Sequence, residues 1–333
     1  VRAEHTSGQT KTSDMEPGNL KIDCFGRFAR KFLYHYRSGK LAAIFDRCFY
    51  LEHDGELICI GSPAIGPGPL NALVEEELNF NNLTIRLAEG RAVTWNRMKM
   101  NVGGLRIDFK DAVKWKAPTP CSSADICAIS KSAHSFIANS SEQLPRQGLA
   151  PLVFPSLLPD QGRLFAPRVA HSDGVVRQSV RPWIAMLEHW LYLELRRIPS
   201  SIDVEEPIGN LLGLGPGLTP SGDDFIGGLL VALKLLKCDQ VQQKLARIVL
   251  NKARTKTTDL SAAHLEAAAQ GEAIEAFHLL MNDILLGEVT RHSIHLQDIS
   301  RIGHSSGWDM AAGGMFALRQ WLIAHYRHQV PVH

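Results

Sequence analysis

The stretch from Gly213 to Gly228 (Gly-Leu-Gly-Pro-Gly-Leu-Thr-Pro-Ser-Gly-Asp-Asp-Phe-Ile-Gly-Gly) limits what this chain can fold into more than any other. Gly213, Gly215 and Gly217 permit positive φ and let backbone N–H groups come close to a ligand, while Pro216 and Pro220 stiffen the turn. The loop is therefore expected to be ordered. Ser221 is a good N-cap residue and Asp224 lies three positions on, so Ser-Gly-Asp-Asp reads as a variant capping box opening a helix over the apolar run Phe225 to Leu236. Free N–H groups at a helix start, with the positive dipole end behind them, favour a phosphate or carboxylate. A Walker A loop would need Lys after its last glycine, whereas Gly222 is followed by Asp223. A dinucleotide fingerprint would need a strand in front, and Ser201 to Leu212 is acidic, contains Pro207 and has no β-branched run. Neither motif fits. A purely structural reading, with glycines for the turn and acids for the cap, leaves Asp223 without a job.

The helix start recurs. Ser221-Gly-Asp-Asp-Phe-Ile-Gly-Gly-Leu-Leu-Val-Ala-Leu-Lys234 aligns without gaps on Ser306-Gly-Trp-Asp-Met-Ala-Ala-Gly-Gly-Met-Phe-Ala-Leu-Arg319, sharing Ser-Gly-x-Asp, then Gly228 or Gly313, then Ala-Leu. A glycine inside a helix costs roughly 1 kcal/mol against alanine, so its place in both copies needs a reason. Close backbone contact between the two helices is the simplest, and it would turn both Ser-Gly-x-Asp starts toward one cleft.

At 333 residues the chain is long enough for two cores, and a net charge of +2 gives no sign of a nucleic-acid or membrane-surface partner. Its six cysteines show no Cys-x-x-Cys pair and no framework spacing, which fits a reduced, cytoplasmic protein. Residues 1–18 are polar and read as a disordered leader, and no apolar run reaches membrane-spanning length.

From residue 19 to 117 the pattern is an amphipathic helix, Cys24 to Tyr36, followed by short β-type runs at Leu41–Leu51, Leu57–Gly61, Leu83–Leu87, Ala92–Trp95, Gly104–Phe109 and Ala112–Trp115. Asp54-Gly55 is a strong hairpin turn. The fold class is α+β: an N-terminal antiparallel β-barrel or sandwich, then an α-helical domain over residues 118–333 that carries the glycine loop. Gly61 to Asn71 is a second Gly/Pro loop, too long for a hairpin. Helices are expected over Ser122–Leu144, Val180–Leu195, Asp239–Arg254, Leu260–Gln270, Glu272–Leu286 and Met310–Tyr326, with Pro145 to Gly174 a long segment without periodicity. Thr255 to Asp259 reads as a cap, and His264 and His278 as ordinary helix histidines. No His-Glu-x-x-His pattern supports a zinc hydrolase.

The long glycine motif, Gly213 to Phe225, and the later Gly303-His-Ser-Ser-Gly-Trp-Asp309 resemble the two signatures of the AllH family. The resemblance extends over Leu41 to Leu322. It implies one subunit of an oxamate carbamoyltransferase in allantoin (purine) catabolism, exchanging a carbamoyl group between oxalurate with phosphate and oxamate with carbamoyl phosphate. It also implies partner subunits in a hetero-oligomer and a small anionic substrate. Local chemistry assigns Gly215, Gly217, Thr219, Ser221, Gly222 and Ser306 to anion contact, and Asp223, His304 and Asp309 to catalytic roles. Asp224 is assigned mainly to the cap. No cofactor and no metal set can be named from the sequence. Two other classes remain open: a non-catalytic anion-binding or assembly module, and a kinase-like protein using Asp223 and Asp309 for Mg-nucleotide.

Overall fold

Strict period-two burial along the early segments builds strands with one face inward: Asn19–Phe25 (β1) alternates exposed and buried, and so do Ala92–Trp95 (β6), Lys99–Val102 (β7) and Leu105–Asp108 (β8). The computed structural model of the chain describes residues 19–77, 89–119, 124–157 and 175–326. The expected leader and the run Leu83–Leu87 lie outside the described residues. Ser38–Ile44 (β2), Cys48–His53 (β3), Glu56–Gly61 (β4) and Asn71–Val74 (β5) complete eight strands in the order β5-β4-β3-β2-β6-β7-β8-β1. Pairing of Phe25 with Ala72 joins β1 back to β5 and closes the sheet into a barrel. Closure removes the open edges that a sandwich would have to protect.

The barrel is not wholly antiparallel. β1 runs parallel to β8, β4 runs parallel to β5, and the short Val113–Lys114 (β9) joins β1 as a further parallel partner. The expected Leu41–Leu51 strand is two strands of a hairpin, because β2 pairs with β3 from Lys40↔Glu52 to Ile44↔Phe49. Asp54 and Gly55 both have positive φ, 50° and 76°, as a tight turn between β3 and β4 requires. Arg27–His35 (α1) is the amphipathic helix, shorter than its pattern because Cys24 and Phe25 belong to β1. Its buried Phe32 stacks on Trp95 at 5.6 Å, and the Trp95 indole N–H donates to Leu33 O, which seats α1 in the barrel core.

After residue 119 the described chain is helical: Ile126–Ser140 (α2), Ala150–Leu157 (α3), Val175–Leu195 (α4), Glu205–Leu211 (α5), Ser221–Leu235 (α6), Asp239–Lys256 (α7), Asp259–Ala269 (α8), Glu275–Leu285 (α9), His292–Ser300 (α10) and Ser306–Tyr326 (α11). Part of the segment expected to lack periodicity is therefore helix α3, whose internal Pro155 hides the pattern. These helices share one hydrophobic core, separate from that of the barrel. At its centre is α6, buried along nearly its whole length, as befits a helix apolar on every face.

The recurring motif is a structural repeat. A Cβ on Gly228 would stand 1.9 Å from Met310 O, and one on Gly313 would stand 1.9 Å from Phe225 O, so α6 and α11 cross backbone to backbone at matching positions. The match extends upstream. Gly222 presses on Leu211 O at the end of α5, and its amide donates to Leu214 O. Gly307 presses on Ile299 O in α10, and its amide donates to Ile302 O. Each repeat is a short helix, a tight turn and a long central helix.

The loop Gly61 to Asn71 contains a turn of 3₁₀ helix, Pro63–Ile65, and docks the barrel on the helices through Glu275 N donating to Pro67 O. Arg27 Nε pairs with Glu272 at 2.9 Å across the same junction.

Candidate functional site

Gly213, Gly215 and Gly217 have φ of 74°, 115° and 93°, a left-handed backbone that other residues rarely adopt. The loop they shape is exposed from Gly215 to Leu218 and ends on Thr219 at the start of α6. The amides of Gly215, Gly217, Leu218 and Thr219 donate to no protein acceptor among the described residues. A Cβ on Gly217 would meet nothing within 4 Å, so the space over this amide row is open. Thr219 Oγ1 lies 2.9 Å from Ser306 Oγ, joining the loop to the first residue of α11.

The two adjacent acids reverse the division of labour that their positions imply. The N-cap of α6 is Pro220 with no side-chain cap hydrogen bond, so neither Ser221 nor Asp224 forms a capping box. Asp223 turns away from the open space and is buried. Its Oδ1 accepts from Gly213 N at 2.9 Å, and its Oδ2 accepts from Ser261 Oγ at 2.7 Å and from Thr257 Oγ1. It fastens the glycine loop to the α7–α8 junction. Burial pushes its carboxyl upward, while these three donors act in the opposite sense.

Asp224 is buried beside the Thr219 and Ser306 hydroxyls, and its Oδ2 has no hydrogen-bond partner among the described residues. Burial first, then the charges of Asp309 and Asp223, hold its carboxyl well above the ordinary carboxylate range, against those two hydroxyls. Such a group favours its neutral, proton-donating form. Asp309 occupies the matching place in the second repeat. Its Oδ1 accepts from Leu149 N at 2.7 Å and Ala150 N at 2.9 Å, capping α3, while its Oδ2 is buried without a partner among the described residues. Burial raises it to about 6, opposed by the Ser221 hydroxyl, the two α3 amides and the Ser305 hydroxyl. The serines are exchanged across the repeat: Ser306 of α11 stands by Asp224 of α6, and Ser221 of α6 stands by Asp309 of α11.

The expected anion-contact residues divide. Gly215, Gly217, Thr219, Ser221 and Ser306 gather at the two helix starts, with the Gly215 Cβ position 3.3 Å from Ser221 Oγ. Gly222 does not join them, because its amide is spent on Leu214 O and its Cα face is packed on Leu211. His304 is exposed, with no described contact to the cluster. Sequence reasoning, which gave Asp224 mainly to the cap, missed its buried place beside Thr219 and Ser306, and missed the α3 start at Leu149 and Ala150. The pairing of Asp224 with Asp309 in the internal repeat was the signal that could have exposed the first. Among the described residues no three or more His, Cys, Asp or Glu side chains are placed to hold a metal ion. No described helix is long and apolar enough to cross a membrane.

No solved structure matches the chain. Two family models do. The AllH family N-terminal domain matches residues 19–114, the closed barrel, and the model described as oxamate carbamoyltransferase subunit AllH matches residues 211–318, from the end of α5 into α11 and thus across both repeats. With barrel and repeat both matched, the chain belongs to the AllH family.

Proposed function

We propose that the chain is a subunit of a carbamoyltransferase, and that the loop from Gly215 to Thr219 holds the phosphate or carbamoyl phosphate end of its substrates. The family description supports the subunit role and, with it, partner subunits. The observation that carries the placement is the buried Oδ2 of Asp224 beside an ordered loop, where neither that oxygen nor four loop amides have a partner among the described residues. Carbamoyl transfer asks for this combination. In the direction from oxalurate, a phosphate oxygen attacks the ureido carbonyl, the bond from that carbon to the oxamate nitrogen breaks, and the nitrogen takes up a proton. Fixed amides stabilise the charge on phosphate and on the carbonyl oxygen during attack. A carboxyl pushed by burial toward its protonated form supplies the proton, and its carboxylate recovers one in the reverse direction.

The three protein donors on the oxygens of Asp223 favour a structural role for it over the Mg-ligand role that the kinase-like alternative would need. Oxamate enters this reading through the wording of the family description, whereas oxalurate and a place in allantoin breakdown rest on the resemblance of the two motifs alone. The test is phosphate-dependent cleavage of oxalurate by the chain assembled with its partner subunits. Asp224→Asn is expected to lower turnover by about 100-fold, within the range of a lost general acid, with assembly intact. Turnover equal to wild type would remove Asp224 from the mechanism.

A further inference from the structure

At the opposite end of α6 from the glycine loop, the barrel and the helices line a half-open cavity of about 460 Å³. The length of a fifteen-residue helix separates the two places by roughly 20 Å. Five cationic side chains line this cavity: Arg27 of α1, Lys114 of β9, Lys116 just after it, and Lys234 and Lys237 at the end of α6. One carboxylate, Glu272, faces them, and it is already paired with Arg27. Lys234 reaches Asp239 at 2.6 Å, but Lys114, Lys116 and Lys237 have no ion-pair partner among the described residues. The whole chain carries a net charge of only +2, so this concentration is a local feature.

Three further details show that the cavity is built. Lys237 sits at φ 59°, in the position after a helix where glycine is the usual residue, and the turn is closed by Cys238 N donating to Leu233 O. Gly271, at φ 80°, leaves room for the Lys234 stem, since a Cβ there would stand 2.5 Å from Lys234 Cγ. The Trp115 indole N–H is fixed on Glu275 Oε1 at 2.9 Å, and its half-buried ring borders the cavity. Like charges crowded around one partly enclosed space attract a multiply charged anion. A cavity of this volume also takes a ligand of small-molecule size, larger than a single phosphate.

We propose that this cleft binds a small polyanion of the oligophosphate class, the chemistry shared by inorganic oligophosphates and nucleoside phosphates. Such a ligand bridges the barrel, through Arg27, Lys114 and Lys116, to the helical region, through Lys234 and Lys237. The site is independent of the carbamoyl-transfer reading of the loop.

Isothermal titration with tripolyphosphate, a nucleoside triphosphate and inorganic phosphate tests it. Saturable binding of at least one triphosphate is expected, at least tenfold tighter than that of phosphate. The exposed double reversal Lys114→Glu with Lys237→Glu should weaken it tenfold or more, whereas Thr219→Ala, at the glycine loop, should leave it unchanged. A nucleotide preferred over tripolyphosphate, with the preference lost in Trp115→Leu, identifies a nucleoside phosphate. Equal binding of the two identifies an inorganic oligophosphate. Absence of saturable binding for both, or binding that survives the double reversal, overturns the proposal.

Discussion

Asp223 and Asp224 are neighbours in one helical turn, yet one is surrounded by donors and the other keeps a bare oxygen. Removing the charge of Asp223 weakens three hydrogen bonds to a buried carboxyl, so Asp223→Asn is expected to cost about 2–3 kcal/mol of stability in urea denaturation. An unchanged midpoint would contradict its structural role. Asp309 predicts a pH dependence with a definite sign. Its folded value of about 6 exceeds the ordinary 3.8, so the folded protein binds more protons than the unfolded chain between those values. Stability relative to Asp309→Asn should therefore be greatest below about pH 4 and fall by up to roughly 3 kcal/mol as pH rises from there through about 6. A difference that grows with pH would refute this. The sequence could not separate these roles. Asp223 is defined by Thr257 and Ser261, 34 and 38 residues away, and local helix-cap logic sees only the nearest turn.

At the scale of elements, the crossing of α6 and α11 rests on two glycines whose missing side chains admit a carbonyl oxygen. Gly228→Ala and Gly313→Ala should each force the helices apart and cost about 3 kcal/mol or more. Gly227→Ala is the control: its Cβ would meet only Ala268 Cβ, at 3.8 Å, so it should be neutral or gain about 0.5–1 kcal/mol. Equal effects at Gly227 and Gly228, read from thermal or urea unfolding, would deny the close crossing. This contact was legible in the sequence because glycine weakens a helix interior, and two matched glycines in apolar helices offset that cost only where backbones touch. The shorter elements were not legible. Helix α5 contains Pro207 and spans seven residues, α10 carries a polar His, Ser and Gln sequence, and α3 holds Pro155, so none shows a full apolar stripe.

For the whole molecule, alternating burial announced a β-rich half, but pattern alone does not name a strand's partner. Barrel and sandwich were separated only by β1, which is hidden beside the α1 pattern and which closes the sheet by pairing with both β5 and β8. The helical half places two repeats so that their starts meet, and the proposed function depends on what that meeting place binds. Amide-resolved NMR of the chain during a phosphate titration reads this out residue by residue. Saturable shifts centred on Gly215, Gly217, Leu218 and Thr219, diminished in Thr219→Ala, are predicted. Shifts that leave those four amides unmoved while phosphate binds elsewhere, or no saturation at any amide, would contradict the assignment of this loop as the anion site.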